Sequence, residues 1–167
     1  MALYENATYV RTRVTAVLLK LMETKAYQTI SISDLAAAAH VSRSSVYRNF
    51  AGKDDILRRH LKGLIEEWHH NFESVPGQDF SESLLQHVYE NRDFYLLLHR
   101  SGLSWMLHES LKNACGLKSD MPPILAYGIS SIAGALFGWT DEWLTRGMKE
   151  TPEELKQLAT QIQHPRP

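Results

Sequence analysis

The sequence predicts an all-α protein: a small N-terminal domain of three helices, then a larger helical domain, about nine helices in all. Three observations predict it. Apolar residues recur at helical spacing along most of the chain, and no segment sustains the period-two alternation of a half-buried strand. Two short helical patterns flank a tight turn within Thr29–Leu57 (TISISDLAAAAHVSRSSVYRNFAGKDDIL). Breakers at Val75-Pro76-Gly77-Gln78-Asp79 and Thr151-Pro152 then divide the remainder into helix-sized pieces. No internal repeat is visible.

The first helix is expected over Thr8–Lys25, where Val10, Val14, Val17, Leu18 and Leu21 form one apolar stripe. Arg11 and Arg13 lie off that stripe, within reach of a phosphate or of water. Ser31, with Asp34 three residues on, has capping-box spacing and opens a second helix through the alanine run Leu35–Ala39. His40-Val41 forms the turn. Ser42 caps a third helix, Arg43–Asn49, with Val46 and Phe50 as its buried anchors.

Ala51-Gly52 breaks that helix, and a long fourth one follows from about Lys53 to Phe72, with Leu57, Leu61, Leu64, Ile65, Trp68 and Phe72 on one stripe. It is long enough to leave the small domain and enter the large one. Ser81 is expected to cap a fifth helix carrying Leu84, Leu85, Val88 and Tyr89. A sixth runs from Arg92 to Arg100, and a seventh around Trp105–Leu111 ends near Cys115-Gly116. Pro122-Pro123 opens the longest helix of the second domain, to about Arg146, with Gly147 as its stop. Thr151-Pro152-Glu153-Glu154 starts the last, through Leu155, Leu158, Ala159 and Ile162.

The third helix presents Arg43, Ser44, Ser45, Tyr47, Arg48 and Asn49, a donor-rich surface of the kind that enters a DNA major groove. The amides and hydroxyls at Ser42 and Ser45 suit phosphate oxygens. Arg43 is the first choice for base reading, since a guanidinium forks onto guanine; Ser33, Ser44 and Arg48 come second.

Charge supports the division. Net charge is −1, yet residues 1–53 carry seven Lys and Arg against three Asp and Glu, +4, leaving −5 on the rest. A basic first third on an acidic body fits a DNA-facing module attached to something that does not touch DNA. Cys115 is the single cysteine, which excludes an intrachain disulfide and points to a reducing cytoplasm. Residues 1–5 lack the basic and apolar regions of a secretory signal. No charge occurs from Met121 to Thr140, but this stretch holds two prolines, three glycines and three hydroxyl residues, so a buried helix is expected and not a membrane span.

Ser31-x-x-Asp34-Leu35-Ala36, Val41-Ser42, Val46-Tyr47-x-x-Phe50 and Lys53-x-x-Ile56-Leu57 resemble the DNA-binding domain of the TetR family of bacterial regulators. The resemblance implies a domain boundary near residue 53, with a DNA-binding domain over 1–53 and a ligand-sensing and dimerisation domain over 54–167. It implies phosphate contacts at Tyr47, Lys53 and Ser31. His40 departs from the family's usual Gly, and Ser44 and Asn49 from its common Gly and His. Ala133–Leu155 resembles, more loosely, the C-terminal region of the subgroup that includes an activator of dihydroxyacetone kinase genes.

In the second domain, Trp68, Phe72, Tyr89, Phe94, Trp105, Met106 and Tyr127, with Tyr95 and Phe137, supply material either for an effector pocket or simply for core. Gly134 and Gly138 put a small-residue groove on the long helix. The family's four-helix dimer bundle implies an interface there, with Trp139, Trp143, Leu155, Leu158 and Ile162. His87, His99 and His108 match no metal-ligand spacing, no cofactor motif is present, and neither a phosphate loop nor a nucleophile elbow suggests an enzyme. The expectation is a homodimeric repressor, released from a palindromic operator by a small apolar or amphipathic molecule. The alternative is a regulator or activator whose second domain docks a protein.

Overall fold

The computed structural model describes residues 2–163, and among these it contains nine α-helices and no strand. They are α1 (Ala2–Met22), α2 (Ile32–Ala39), α3 (Arg43–Asn49), α4 (Lys53–Glu73), α5 (Phe80–Glu90), α6 (Arg92–Arg100), α7 (Ser104–Ala114), α8 (Pro123–Thr145) and α9 (Pro152–Gln163). A single 3-10 turn, Tyr27–Thr29, precedes α2. The chain falls into two compact units, Met1–Leu64 and Ile65–Pro167, and α4 begins in the first and ends in the second.

In the first unit α1, α2 and α3 pack on one another in every pairing. Val10, Val14, Leu18 and Met22 of α1 are buried against Leu35, Ala36 and Ala39 of α2 and Val46 of α3. Val17 and Leu21, expected on the stripe, are only half-buried, because the stripe rotates onto Met22. Small residues on α2 let its neighbours approach closely. Phe50, Ile56, Leu57 and Leu61 complete the core.

In the second unit α8 packs on α7 and α6, and α5 packs on α6 and α9. The cap of α5 is Asp79, whose side chain accepts from Glu82 N–H at 2.8 Å, and not Ser81; the helix starts earlier than expected. At α9 the expected cap forms on both sides: Thr151 N–H donates to Glu154 Oε2 at 2.7 Å, and Glu154 N–H to Thr151 Oγ1 at 3.2 Å. Gly147, at φ +79, ends α8 in the left-handed region where glycine is favoured.

Within the single chain α8 is less buried than expected. α8 is long and apolar enough to cross a membrane by length and composition, but only 11% of its most apolar window is buried. Ala133, Thr140, Trp143 and Leu144 face the core, while Ile124 (81% exposed), Tyr127 (75%), Ile132 and Leu125 face out. The helix is half a core helix and half an open apolar face.

Candidate nucleic-acid interface

The local chemistry of residues 31–53 sets the geometry. Ser31 Oγ accepts from Asp34 N–H at 3.0 Å, and Asp34 Oδ2 accepts from Ser31 N–H at 3.1 Å and Ser31 Oγ at 2.6 Å, a closed capping box. These bonds hold the Asp34 carboxyl below its ordinary range. His40 ends α2 at φ 57, ψ 40, a left-handed conformation that lets its N–H and that of Val41 reach back to carbonyls of the last turn.

Ser42 then caps α3: its Oγ accepts from Ser45 N–H at 3.0 Å and lies 2.9 Å from Ser45 Oγ, which also accepts from Arg48 Nη2 at 3.1 Å. Val46 and Phe50 are buried, at 0% and 3% exposure. Burial of two such side chains stabilises the docking of this short helix by about 2–3 kcal/mol each. That leaves Arg43, Ser44, Tyr47 and Arg48 exposed on the opposite face, with the Tyr47 ring 55% accessible. Ser31 and Ser33 are exposed at the start of α2.

Two of the expected contacts have partners within the protein. Asn49 is half-buried, with Oδ1 accepting from Arg11 Nε at 3.2 Å and Nδ2 donating to the Ser45 carbonyl at 2.8 Å. Lys53 donates from Nζ to the Tyr27 carbonyl at 2.7 Å and sits 4.4 Å from the centre of the Tyr27 ring. Tyr27 and Asp54, whose side chains hydrogen-bond to each other, were not among the expected site residues. Nothing periodic marks a pair 27 positions apart.

A match to the model of bacterial regulatory proteins of the TetR family covers residues 14–59, the helices just described. A second, to a transcriptional regulator C-terminal region, covers residues 77–165.

The chain belongs to the TetR family.

It is a transcriptional regulator with an N-terminal helix-turn-helix. Solved structures similar to this regulator include the dihydroxyacetone kinase operon activator DhaS, at 18% identity and a TM-score of 0.54, covering 92% of this chain and 91% of that one. Another is NalD, the secondary repressor of the MexAB-OprM multidrug efflux pump in Pseudomonas aeruginosa, at 19% identity and a TM-score of 0.54, covering 89% and 90%. At these identities the likeness is one of fold. No curated protein sequence matches the regulator.

The second unit of the regulator scatters the residues expected to line one pocket. Trp68 lies in a cluster with Phe72 (5.9 Å between centroids), His87 (6.0 Å) and Phe80 (5.2 Å), the last absent from the expected set. Trp68 Nε1–H donates to the buried Ser83 Oγ at 2.9 Å. Tyr89 instead stacks on Trp143, 5.9 Å away and 7° from parallel. Phe94 and Met106 are buried, whereas Trp105 (42% exposed) and Tyr127 face outward.

Of the residues expected at a dimer interface, Gly138 and Leu158 are exposed, and Gly134 and Trp139 are half-buried. Trp143 and Leu155 are core residues of their own chain, and the side chain of Ile162 lies outside the described residues. Trp143 is held there by its Nε1–H, which donates to the Glu150 carbonyl at 3.0 Å. A groove of about 550 Å³ runs between α8 and α9 over Gly138, Trp139, Trp143, Leu155 and Leu158, with Glu142, Arg146 and Glu150 at its charged side.

The three histidines have protein partners. His87 Nε2 lies 2.9 Å from Tyr95 Oη, His99 Nε2 lies 3.1 Å from Thr145 Oγ1, and His108 stacks on Phe137 at 4.7 Å. Among the described residues no group of three or more His, Cys, Asp or Glu is placed to hold a metal ion.

Proposed function

We propose that this regulator works in the cytoplasm as a homodimeric, non-enzymatic repressor, released from a palindromic operator when a small apolar or amphipathic molecule occupies its second domain. The observation that carries the DNA part is the division of α3. Val46 and Phe50 anchor one face, while Arg43, Ser44, Tyr47 and Arg48 are presented on the other. Arg43 is the base reader in this proposal. Ser31, Ser42, Ser45 and Tyr47 approach phosphates, and Ser33, Ser44 and Arg48 lie beside the groove.

Support for the dimer comes from the open face of α8. Ile124, Leu125, Tyr127 and Ile132 are large and apolar, and each gains about 1.5–3 kcal/mol when a partner removes it from water. A helix-turn-helix also needs two copies to grip half-sites about 34 Å apart. The same face favours a second reading, in which the second domain docks a different protein. The solved neighbours include an activator and a repressor, so both directions of control have a structural relative.

A mobility-shift experiment on the DNA adjoining the regulator's own gene tests the main reading. A salt-sensitive complex with two chains per duplex is expected, and Tyr47→Ala should lose it while keeping helicity. Arg43→Ala should relax base preference at one position, by about 1–3 kcal/mol of discrimination. Binding undiminished in both variants would remove α3 as the reader.

A further inference from the structure

We infer that Arg11 of α1 grips a backbone phosphate beside the groove that α3 enters, and that Asn49 is the positioning residue that aims it. The inference rests on the DNA-reading role of α3. Its geometry lies wholly within the first unit, and Arg11 precedes the residues matched to the family.

Val10 and Val14 of α1 are buried, α1 packs on α3, and Arg11 stands between the two valines with its own side chain exposed. Its Nε–H donates to Asn49 Oδ1 at 3.2 Å, on the last turn of the reading helix. The Asn49 amide has one orientation there. Nδ2 donates to the Ser45 carbonyl at 2.8 Å, a group that can only accept, so Oδ1 is the atom left for Arg11. A guanidinium carries five N–H donors in one plane, and the bond to Asn49 uses one. It leaves the four on Nη1 and Nη2, a pair of which matches the oxygens of a phosphate.

A second guanidinium ends on the same turn of α3. Arg48 Nη2 donates to Ser45 Oγ at 3.1 Å. Arg11 and Arg48 are thus both held by neutral acceptors, an amide and a hydroxyl, which leave their charge in place. Arg59 on α4 shows the other arrangement: its Nε lies 3.0 Å from the Asp55 carboxylate, which offsets the charge. Two cations anchored to neutral groups at Ser45 and Asn49 suit an anion on the exposed side of that turn. The bond to Asn49 also orders a long side chain before DNA arrives, so less entropy is lost on binding.

A DNA duplex enriched from a random-sequence pool by the wild-type protein provides the probe. Affinity is measured over a sodium chloride series for the wild type, Arg11→Gln, Asn49→Ala and the double variant, with the folded fraction followed by circular dichroism. Arg11→Gln is expected to bind roughly tenfold more weakly while folded, with a slope of log affinity against log salt shallower by about one. Base preference should hold, because a phosphate carries no sequence information. Asn49→Ala should weaken binding several-fold in the wild-type background and not at all beside Arg11→Gln, since it acts through Arg11. An unchanged slope in Arg11→Gln, the mark of a merely structural tie, overturns the proposal. So does a base preference altered at one position. Equal losses from Asn49→Ala in the two backgrounds, or none in either, overturn the positioning role. If Arg11→Gln does not fold, Asn49→Asp keeps the acceptor, neutralises Arg11 and is held to the same change in slope. A wild type that enriches no duplex sinks the DNA reading and this contact with it, and is recognised because the parent protein itself is silent.

Discussion

Arg11 on α1 donates its Nε–H to Asn49 Oδ1 on the last turn of α3, across 3.2 Å. Asn49 returns its own N–H to the Ser45 carbonyl one turn back on α3. The side chain thus joins the reading helix to α1.

Asn49→Ala should lower stability by about 1 kcal/mol, the typical net value of one hydrogen bond. In a chain of this size that corresponds to a melting temperature lower by roughly 2–4 °C. Base preference should be the same as in the wild type if the bonds to Arg11 and the Ser45 carbonyl are what Asn49 is for. Selection from a random DNA pool checks this: a preference that changes at a single position would make Asn49 a reader after all.

His40 is the position where a left-handed turn meets a side chain with a Cβ, at φ 57. That conformation costs a non-glycine residue about 1–2 kcal/mol, offset in part by glycine's greater freedom when unfolded. His40→Gly should therefore stabilise the regulator by roughly 0.5–1 kcal/mol. DNA affinity should hold, since the turn keeps its geometry. Thermal unfolding gives the answer, and a lower melting temperature would show that the imidazole makes a contact worth more than the strain.

His87 is expected to make the second unit sensitive to acid. Its pKa falls from 6.5 to about 4 because burial disfavours the imidazolium, with Glu90 opposing weakly. Tyr95 Oη faces Nε2, Asn91 Nδ2 lies 3.4 Å from Nδ1, and the Trp68 ring packs alongside. Below pH 6.5 the unfolded chain takes up a proton that the folded chain refuses, so stability falls as the pH drops from 6.5 towards 4 and is fully present above 6.5. The loss is of order 3 kcal/mol at most. Urea unfolding at a series of pH values should show this slope, flattened in His87→Gln. An equal slope in the variant would assign the sensitivity to other groups.

Much of the site is legible in the sequence. Caps are local: Ser31 with Asp34, Ser42, and Thr151 with Glu154 satisfy amides three residues away, and each forms as its spacing predicts. The apolar period places Val46 and Phe50 inward and so leaves Arg43, Ser44 and Tyr47 outward. Asp79 displaces Ser81 as the α5 cap because both are good acceptors two positions apart. The ring of Phe80 against Trp68, with burial of Ser83 and Leu84, selects the earlier start. Lys53 and Asn49 read as free donors in the sequence; their partners, Tyr27 and Arg11, lie 26 and 38 positions away.

The sequence by itself determined the helical class, the helix-turn-helix and the face it presents, because caps, turns and the 3.6-residue period act between residues a few positions apart. Tertiary structure alone decided which polar side chains are engaged within the protein. It also decided that Trp143 belongs to the core while Tyr127 does not, and that half of α8 stays open. The physical reason is common to all three. Aromatic, small and long polar residues suit either an interior or a surface, and only the packing of distant segments removes one of those choices.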